Sequence, residues 1–191
     1  IHFKGQYVFL GDGKRDFNRS SLLPSPDPRV SSRAPAVADF NGDDRLDILS
    51  IDYGSLEMWL SCNGSFPIKT VLLEGLTRGN ELAVCDIDGD DDEDIVFTET
   101  GDPGLTTGWL NLLTNDGTGH FTRRYIDPDY IGVQAVRTAD LDKDGDMDIV
   151  TCAVFQMGIV WCDTAWYEND GDANFTRHII DTYHFGAHAI D

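Results

Sequence analysis

Residues 36–49 read A-V-A-D-F-N-G-D-D-R-L-D-I-L, from Ala36 to Leu49. The pattern returns as A-V-C-D-I-D-G-D-D-D-E-D-I-V from Ala83 and as T-A-D-L-D-K-D-G-D-M-D-I-V from Thr138. Each copy is an alanine-bearing apolar stretch, a nine-residue acidic loop and a β-branched apolar run. Oxygen-bearing side chains fall at loop positions 1, 3, 5 and 9. These are Asp39, Asn41, Asp43 and Asp47 in the first loop. The second has Asp86, Asp88, Asp90 and Asp94, and the third Asp140, Asp142, Asp144 and Asp148. Carboxylates this close repel one another unless a cation collects them. Ca²⁺ suits such a hard, flexible oxygen cage, with the backbone carbonyl of position 7 (Arg45, Asp92 or Asp146) adding a ligand. Three structural Ca²⁺ sites are the expectation.

An EF-hand is the nearest rival, but its loop needs a bidentate Glu at position 12 and a helix on each side. Position 12 is Ser50, Phe97 and Thr151 here. The flanks Ile48-Leu49, Ile95-Val96 and Ile149-Val150 are short and β-branched, which marks strands. Position 6 is expected to be left-handed. Gly145 supplies that directly, whereas Asp44 and Asp91 must tolerate it, as aspartate can.

The first loop aspartates, Asp39, Asp86 and Asp140, are 47 and 54 residues apart. That period suits one four-stranded propeller blade. Strand A precedes the loop and strand B follows it. An aromatic strand C comes next (56–61, 109–113, 165–168), and strand D ends the unit (66–72, 121–126, 175–180). N-D-G at Asn115-Asp116-Gly117 and Asn169-Asp170-Gly171 is a short-hairpin signal between C and D. The expected fold is therefore all-β: a β-propeller of four-stranded antiparallel blades with Ca²⁺-binding A–B loops. Full blades are expected over 34–75, 80–127 and 132–182. Residues 1–30 read as strands C and D of a preceding blade. Residues 183–191 read as strand A of a following one, with Asp191 at position 1 of a partial fourth loop. Such phasing implies a fragment of a longer polypeptide, or copies that complete each other's sheets by strand addition.

The three D-x-[DN]-x-D-x-x-x-D loops and the run W-Y-E-N-D-G…F-T-R-H-I-I-D, Trp166 to Asp181, resemble the FG-GAP/VCBS repeat family. That family is seen in integrin α-subunit heads, some fungal lectins and many secreted microbial proteins. The resemblance implies a propeller and Ca²⁺. It leaves the role open among adhesion, sugar binding, scaffolding and occasional catalysis, because fold does not dictate function.

The chain has 191 residues, 34 acids against 14 bases and a formal charge of −20. The three loops hold 16 of those acids, and three dications of charge +2 would bring −20 to −14. The remaining acidity argues against nucleic acid or anionic membrane as partner. No apolar run is long enough for a membrane span, so no membrane insertion is expected. No signal peptide is visible, and Ile1 reads as the start of a mature or partial chain. Four cysteines permit three pairings. Cys152–Cys162 is expected across one hairpin, with Cys62–Cys85 left as the second bridge. Glycosylation sequons begin at Asn18, Asn63 and Asn174. Disulfides, glycans and millimolar Ca²⁺ together point to an extracellular, secreted or cell-surface location.

His178, His184 and His188 raise a metal or acid–base possibility, as in a carbohydrate lyase or dehydratase, but G-x-S-x-G, H-E-x-x-H and P-loop motifs are absent. Trp59, Trp109 and Trp166 share one strand-C phase in this reading and fit packing between blades. Trp161 and the loop 100–108 are better placed for exposed contacts. The expectation is a non-enzymatic protein that binds glycans or extracellular proteins, or further copies of itself in a filament or surface layer.

Overall fold

Runs of Ile, Val, Leu and aromatic residues interrupted by Gly/Asp loops form strands throughout. The computed structural model describes residues 7–11, 17–21, 33–51, 54–63, 65–101, 107–153 and 163–182. Among them are strands and turns but no helix, hence none long and apolar enough to cross a membrane. β1 (Tyr7–Gly11) pairs with β2 (Phe17–Ser21). Three four-stranded antiparallel meanders follow, each in sequence order. Sheet I is β3 (Arg33–Ala38), β4 (Asp47–Ile51), β5 (Ser55–Cys62) and β6 (Ser65–Glu74). Sheet II is β7 (Gly79–Cys85), β8 (Asp94–Thr100), β9 (Gly108–Asn115) and β10 (Phe121–Asp127). Sheet III is β11 (Val133–Ala139), β12 (Asp148–Ala153), β13 (Asp163–Asn169) and β14 (Phe175–Thr182).

The sheets stack face to face, and their first strands adjoin: β3 lies against β7 and β7 against β11. Sheet II is therefore covered on both faces, and every residue of β8 is buried. Neighbours along β8 serve opposite seams, as the two-residue strand period requires. Ile95 and Phe97 join Leu49, Leu56 and Met58 of sheet I. Val96 joins Ile149, Ala165 and Tyr167 of sheet III. Outer strands β6 and β14 are largely exposed, and β10 is exposed to half-buried. The first strand of each four-stranded sheet carries a register shift near its start, at Arg33/Ala36, Gly79/Leu82 and Val133/Ala135. Such bulges bend an inner strand and free polar groups to bond elsewhere. Asn80 Nδ2 donates to Val133 O at 3.2 Å, Thr98 Oγ1 to Gln134 O at 2.7 Å, and Val136 N to Glu81 Oε2 at 3.2 Å.

Two expectations need correction. The tryptophans do not share one phase. Ser61, Asn115 and Asn169 are equivalent, since each donates its backbone N–H to the loop-ending aspartate. Counted from them, Trp59 and Trp109 sit at even offsets and Trp166 at an odd one, so Trp166 projects from the opposite face. Trp59 is buried with Ile48 and Phe66, while Trp166 stacks on His178 at 4.8 Å. The N-D-G segments do turn β9 into β10 and β13 into β14, as expected. Asn115 pairs with Phe121 and Asn169 with Phe175, leaving five-residue turns. The Asp carboxylate closes each turn from within: Asp116 Oδ1 accepts from Thr118 N and His120 N, Asp170 Oδ1 from Asp172 N and Asn174 N. Lastly, the Cys62–Cys85 bridge is absent, because Cys62 ends β5 while Cys85 is buried at the end of β7 in the next sheet; both are free thiols. Cys152 is buried in β12, where the Ala135 N–H meets its sulfur, and its expected partner Cys162 lies outside the described residues.

Candidate metal centre

Each acidic loop joins the first strand of a sheet to the second, and one local scheme builds all three. Positions 4 and 6 are both left-handed. Gly42 and Asp44 have φ of 70° and 61°, Gly89 and Asp91 74° and 70°, Lys143 and Gly145 69° and 105°. These two reversals coil the loop so that its side chains converge on its own backbone. The position 1 carboxylate caps that coil. Asp39 accepts from the N–H of Asn41, Asp43 and Asp44, Asp86 from Gly89, Asp90 and Asp91, and Asp140 from Lys143. Position 9 is buried and clamps the loop from below. Asp47, Asp94 and Asp148 accept the N–H of Phe40, Ile87 and Leu141 on one oxygen. On the other oxygen they accept Ser61, Asn115 and Asn169.

In the second and third loops three carboxylates converge. Asp86, Asp88 and Asp94 each bring a carboxylate oxygen within 4.8 Å of the others, and so do Asp140, Asp142 and Asp148. Asp90 and Asp144 at position 5 accept the N–H of Asp92 and Asp146. Burial pushes the Asp94 carboxyl up to about 6; the Asn115 and Ile87 N–H groups oppose this, and Asp88 and Asp90 add to it. Asp47 is raised by the same burial. Asp39 is lowered, because four backbone N–H groups outweigh its own desolvation. The first loop is the poorest cage. Asn41 replaces a carboxylate, and Arg45 donates Nη2 to Asp43 at 2.5 Å, competing for position 5.

A cation fits these donors. Asn41 Oδ1 and Asp88 Oδ1, both at position 3, are buried without any hydrogen-bond partner. A buried acceptor left unpaired is costly, and a hard cation coordinated by these oxygens removes that cost while neutralising the flanking carboxylates. The side chains at position 7 reach elsewhere: Asp92 and Asp146 lie against Gly117 and Gly171 of the turns. Between the second and third loops opens a cleft of about 360 Å³, lined by Cys85, Asp86, Glu93, Asp146 and Met147 among others.

Other residues singled out from the sequence are scattered. His178 sits on outermost strand β14 and meets Glu168 at 2.6 Å. Asn63 is exposed at a turn, with φ 51°. The Asn174 amide is engaged by Asp170. Asn18 lies in β2. His184, His188, Asp191, Trp161 and most of the loop 100–108 fall outside the described residues. What sequence reasoning missed is a pair of asparagines ending the third strands, Asn115 and Asn169, whose side chains reach the neighbouring sheet's loop. Their only sequence signal is the recurrence of Asn before Asp-Gly, which reads as turn chemistry.

Residues 39–97 and 86–151 each match the FG-GAP-like repeat family. The chain belongs to that family. No curated protein matches the sequence. Among solved structures, an Agrocybe aegerita lectin, described as recognising non-reducing terminal N-acetylglucosamine, is similar at a TM-score of 0.61 and 18% identity. The match covers 92% of this chain and 46% of the lectin, so this FG-GAP-like chain spans about half the length of that structure. At that identity the likeness is one of fold.

Proposed function

We propose that this FG-GAP-like chain is part of an extracellular β-propeller, stabilised by Ca²⁺ in its acidic loops, that binds glycans without catalysing a reaction. The fold shared with a lectin over 92% of the chain is the observation that carries this reading. The inter-sheet cleft supports it: its size suits a small ligand, and its carboxylates and backbone groups match hydroxyl-rich sugars. Ca²⁺ would be held by Asp86, Asp88, Asp90 and Asp94, by Asp140, Asp142, Asp144 and Asp148, and more weakly by Asp39, Asn41, Asp43 and Asp47. Its part is to neutralise the loops and hold them in one shape. A glycan array probed in Ca²⁺ and in EGTA tests the reading. Retention of one glycan class in Ca²⁺, with the glycan released unchanged, is expected; no retention, or a cleaved or unsaturated product, refutes it.

A second reading is assembly through the outward face of sheet III. Phe40 and Ile87 at loop position 2 are 0% and 1% exposed, sealed by the following sheet, whereas Leu141 at the same position is 44% exposed. Another such sheet, from the same polypeptide or another copy, would cover it. Light scattering of this chain separates the two: concentration-dependent polymers favour assembly between copies.

A further inference from the structure

We infer that Asn115 and Asn169 are positioning residues that link the acidic loops of successive sheets, so that a cation entering one loop raises the affinity of the next. The inference rests on the reading of the loops as Ca²⁺ sites.

Each asparagine touches two loops at once. Its backbone N–H holds the position 9 carboxylate of its own sheet: Asn115 N to Asp94 Oδ1 at 2.8 Å, Asn169 N to Asp148 Oδ1 at 2.9 Å. Its amide Nδ2 donates within its own sheet to the position 8 carbonyl, Glu93 O at 3.3 Å or Met147 O at 3.2 Å. The same Nδ2 donates across the seam to the position 2 carbonyl of the preceding loop. Asn115 reaches Phe40 O at 3.1 Å, and Asn169 reaches Ile87 O at 2.8 Å. Both asparagines are buried, so water does not replace these bonds.

The carbonyl at position 2 is a sensitive place to hold a loop. Its peptide leads directly into position 3, where Asn41 Oδ1 and Asp88 Oδ1 stand buried without partners. The N–H of the same residue is fixed by the position 9 aspartate, Phe40 by Asp47 and Ile87 by Asp94. Residue 2 is thus pinned from below by its own sheet and from the side by the next. Bonds run unbroken from the first loop through Asn115 to Asp94 in the second, and through Asn169 to Asp148 in the third. A cation drawing in Asp94 orders Asn115, and with it the Phe40 carbonyl and the entry to Asn41. Linkage makes the effect reciprocal. The first loop, with its amide ligand and its Arg45–Asp43 pair, has the most to gain.

Ser61 occupies the equivalent place in sheet I, keeping the N–H bond to Asp47 without an amide. Asn115→Ser therefore installs a residue this repeat already carries. Calorimetric titration of Ca²⁺ into the wild-type chain is expected to show cooperative filling. N115S should uncouple the first loop, weakening it roughly 5-fold or more while the other two stay linked. N169S should instead split the second loop from the third. A merely structural asparagine would lower the melting temperature equally in EGTA and in Ca²⁺ and leave site affinities alone. Independent sites with unchanged affinities in both variants overturn the linkage only. No Ca²⁺ uptake by the wild-type chain overturns the Ca²⁺ reading and the linkage with it.

Discussion

At position 9 of the second loop, Asp94 is a wholly buried carboxylate whose pKa burial lifts to about 6. An unfolded aspartate titrates near 3.8. Between those values the cation-free folded state holds a proton that the unfolded chain releases, so this group's stabilisation is complete below 3.8 and is lost as pH rises through about 6. Without divalent cations, melting at pH 5 should therefore be higher than at pH 7 for this group's part. Ca²⁺ takes only the ionised carboxylate, so the melting-temperature gain from Ca²⁺ should be largest at pH 7 and fade below about 6. Thermal scans against pH in EGTA and in Ca²⁺ read both slopes, and Asp94→Asn should flatten them. A Ca²⁺ gain as large at pH 5 as at pH 7 would contradict this account. Cysteine chemistry is testable at the same scale. Burial pushes the Cys85 thiol up to about 11, with Glu93, Asp94 and Asp86 adding to the effect, whereas Cys62 is partly exposed. Alkylation of the native protein at mildly alkaline pH should label Cys62 and spare Cys85 in peptide maps, since the thiolate is the reactive form. Recovery of a Cys62–Cys85 disulfide peptide would restore the bridge expected from sequence.

Gly108 opens β9 where that strand meets the next sheet. A Cβ there would run into the backbone carbonyl of Tyr130 and press on Gly132 N at 3.2 Å. Backbone cannot rotate aside as a side chain can, so Gly108→Ala should cost about 1–3 kcal/mol by overpacking. Gly75→Ala is the control: its Cβ meets nothing within 4 Å, and only its φ of 77° is strained. Denaturant melts of the two variants measure the difference; equal losses would mean that the Tyr130 contact yields freely. These elements also show what the sequence could disclose. Strand character and the four-strand unit were legible because period-two apolar runs and Gly/Asp loops are local signals. Which face each tryptophan takes was not, since a one-residue offset reverses every side chain. Asn115 and Phe40 are 75 residues apart, and Asn169 and Ile87 82, so no local pattern reveals that they bond. The N-D-G turns were legible as turns, but not their five-residue length, which the Asp116 and Asp170 side chains set by accepting N–H groups from within. Left-handed Lys143 at position 4 carries no signal of its own; only the glycine at that position of the other two loops points to it.

Across the whole molecule, 34 acids face 14 bases, and self-repulsion opposes the compact state. Two remedies differ physically. Monovalent salt screens all charges alike, with a Debye length of about 10 Å at 0.1 M. Ca²⁺ held by the loops would act locally, where carboxylate oxygens lie within 4.8 Å of one another and position 3 oxygens lack partners. Binding to the folded state alone stabilises it by RT ln(1 + [L]/Kd), about 2.7 kcal/mol per site at 100-fold excess over Kd. The chain in EGTA should thus gain modestly from NaCl, and considerably more from millimolar CaCl₂ even after NaCl has screened the surface. MgCl₂ should do much less, because Mg²⁺ demands tight octahedral geometry and sheds water reluctantly. Melting curves in those three salts decide between site binding and screening. If NaCl alone recovered everything that CaCl₂ does, the loops would be solvated acidic turns. The partnerless oxygens of Asn41 and Asp88 would then have to find water or a moved N–H instead of a cation, and the cooperative filling expected through Asn115 and Asn169 would vanish with it.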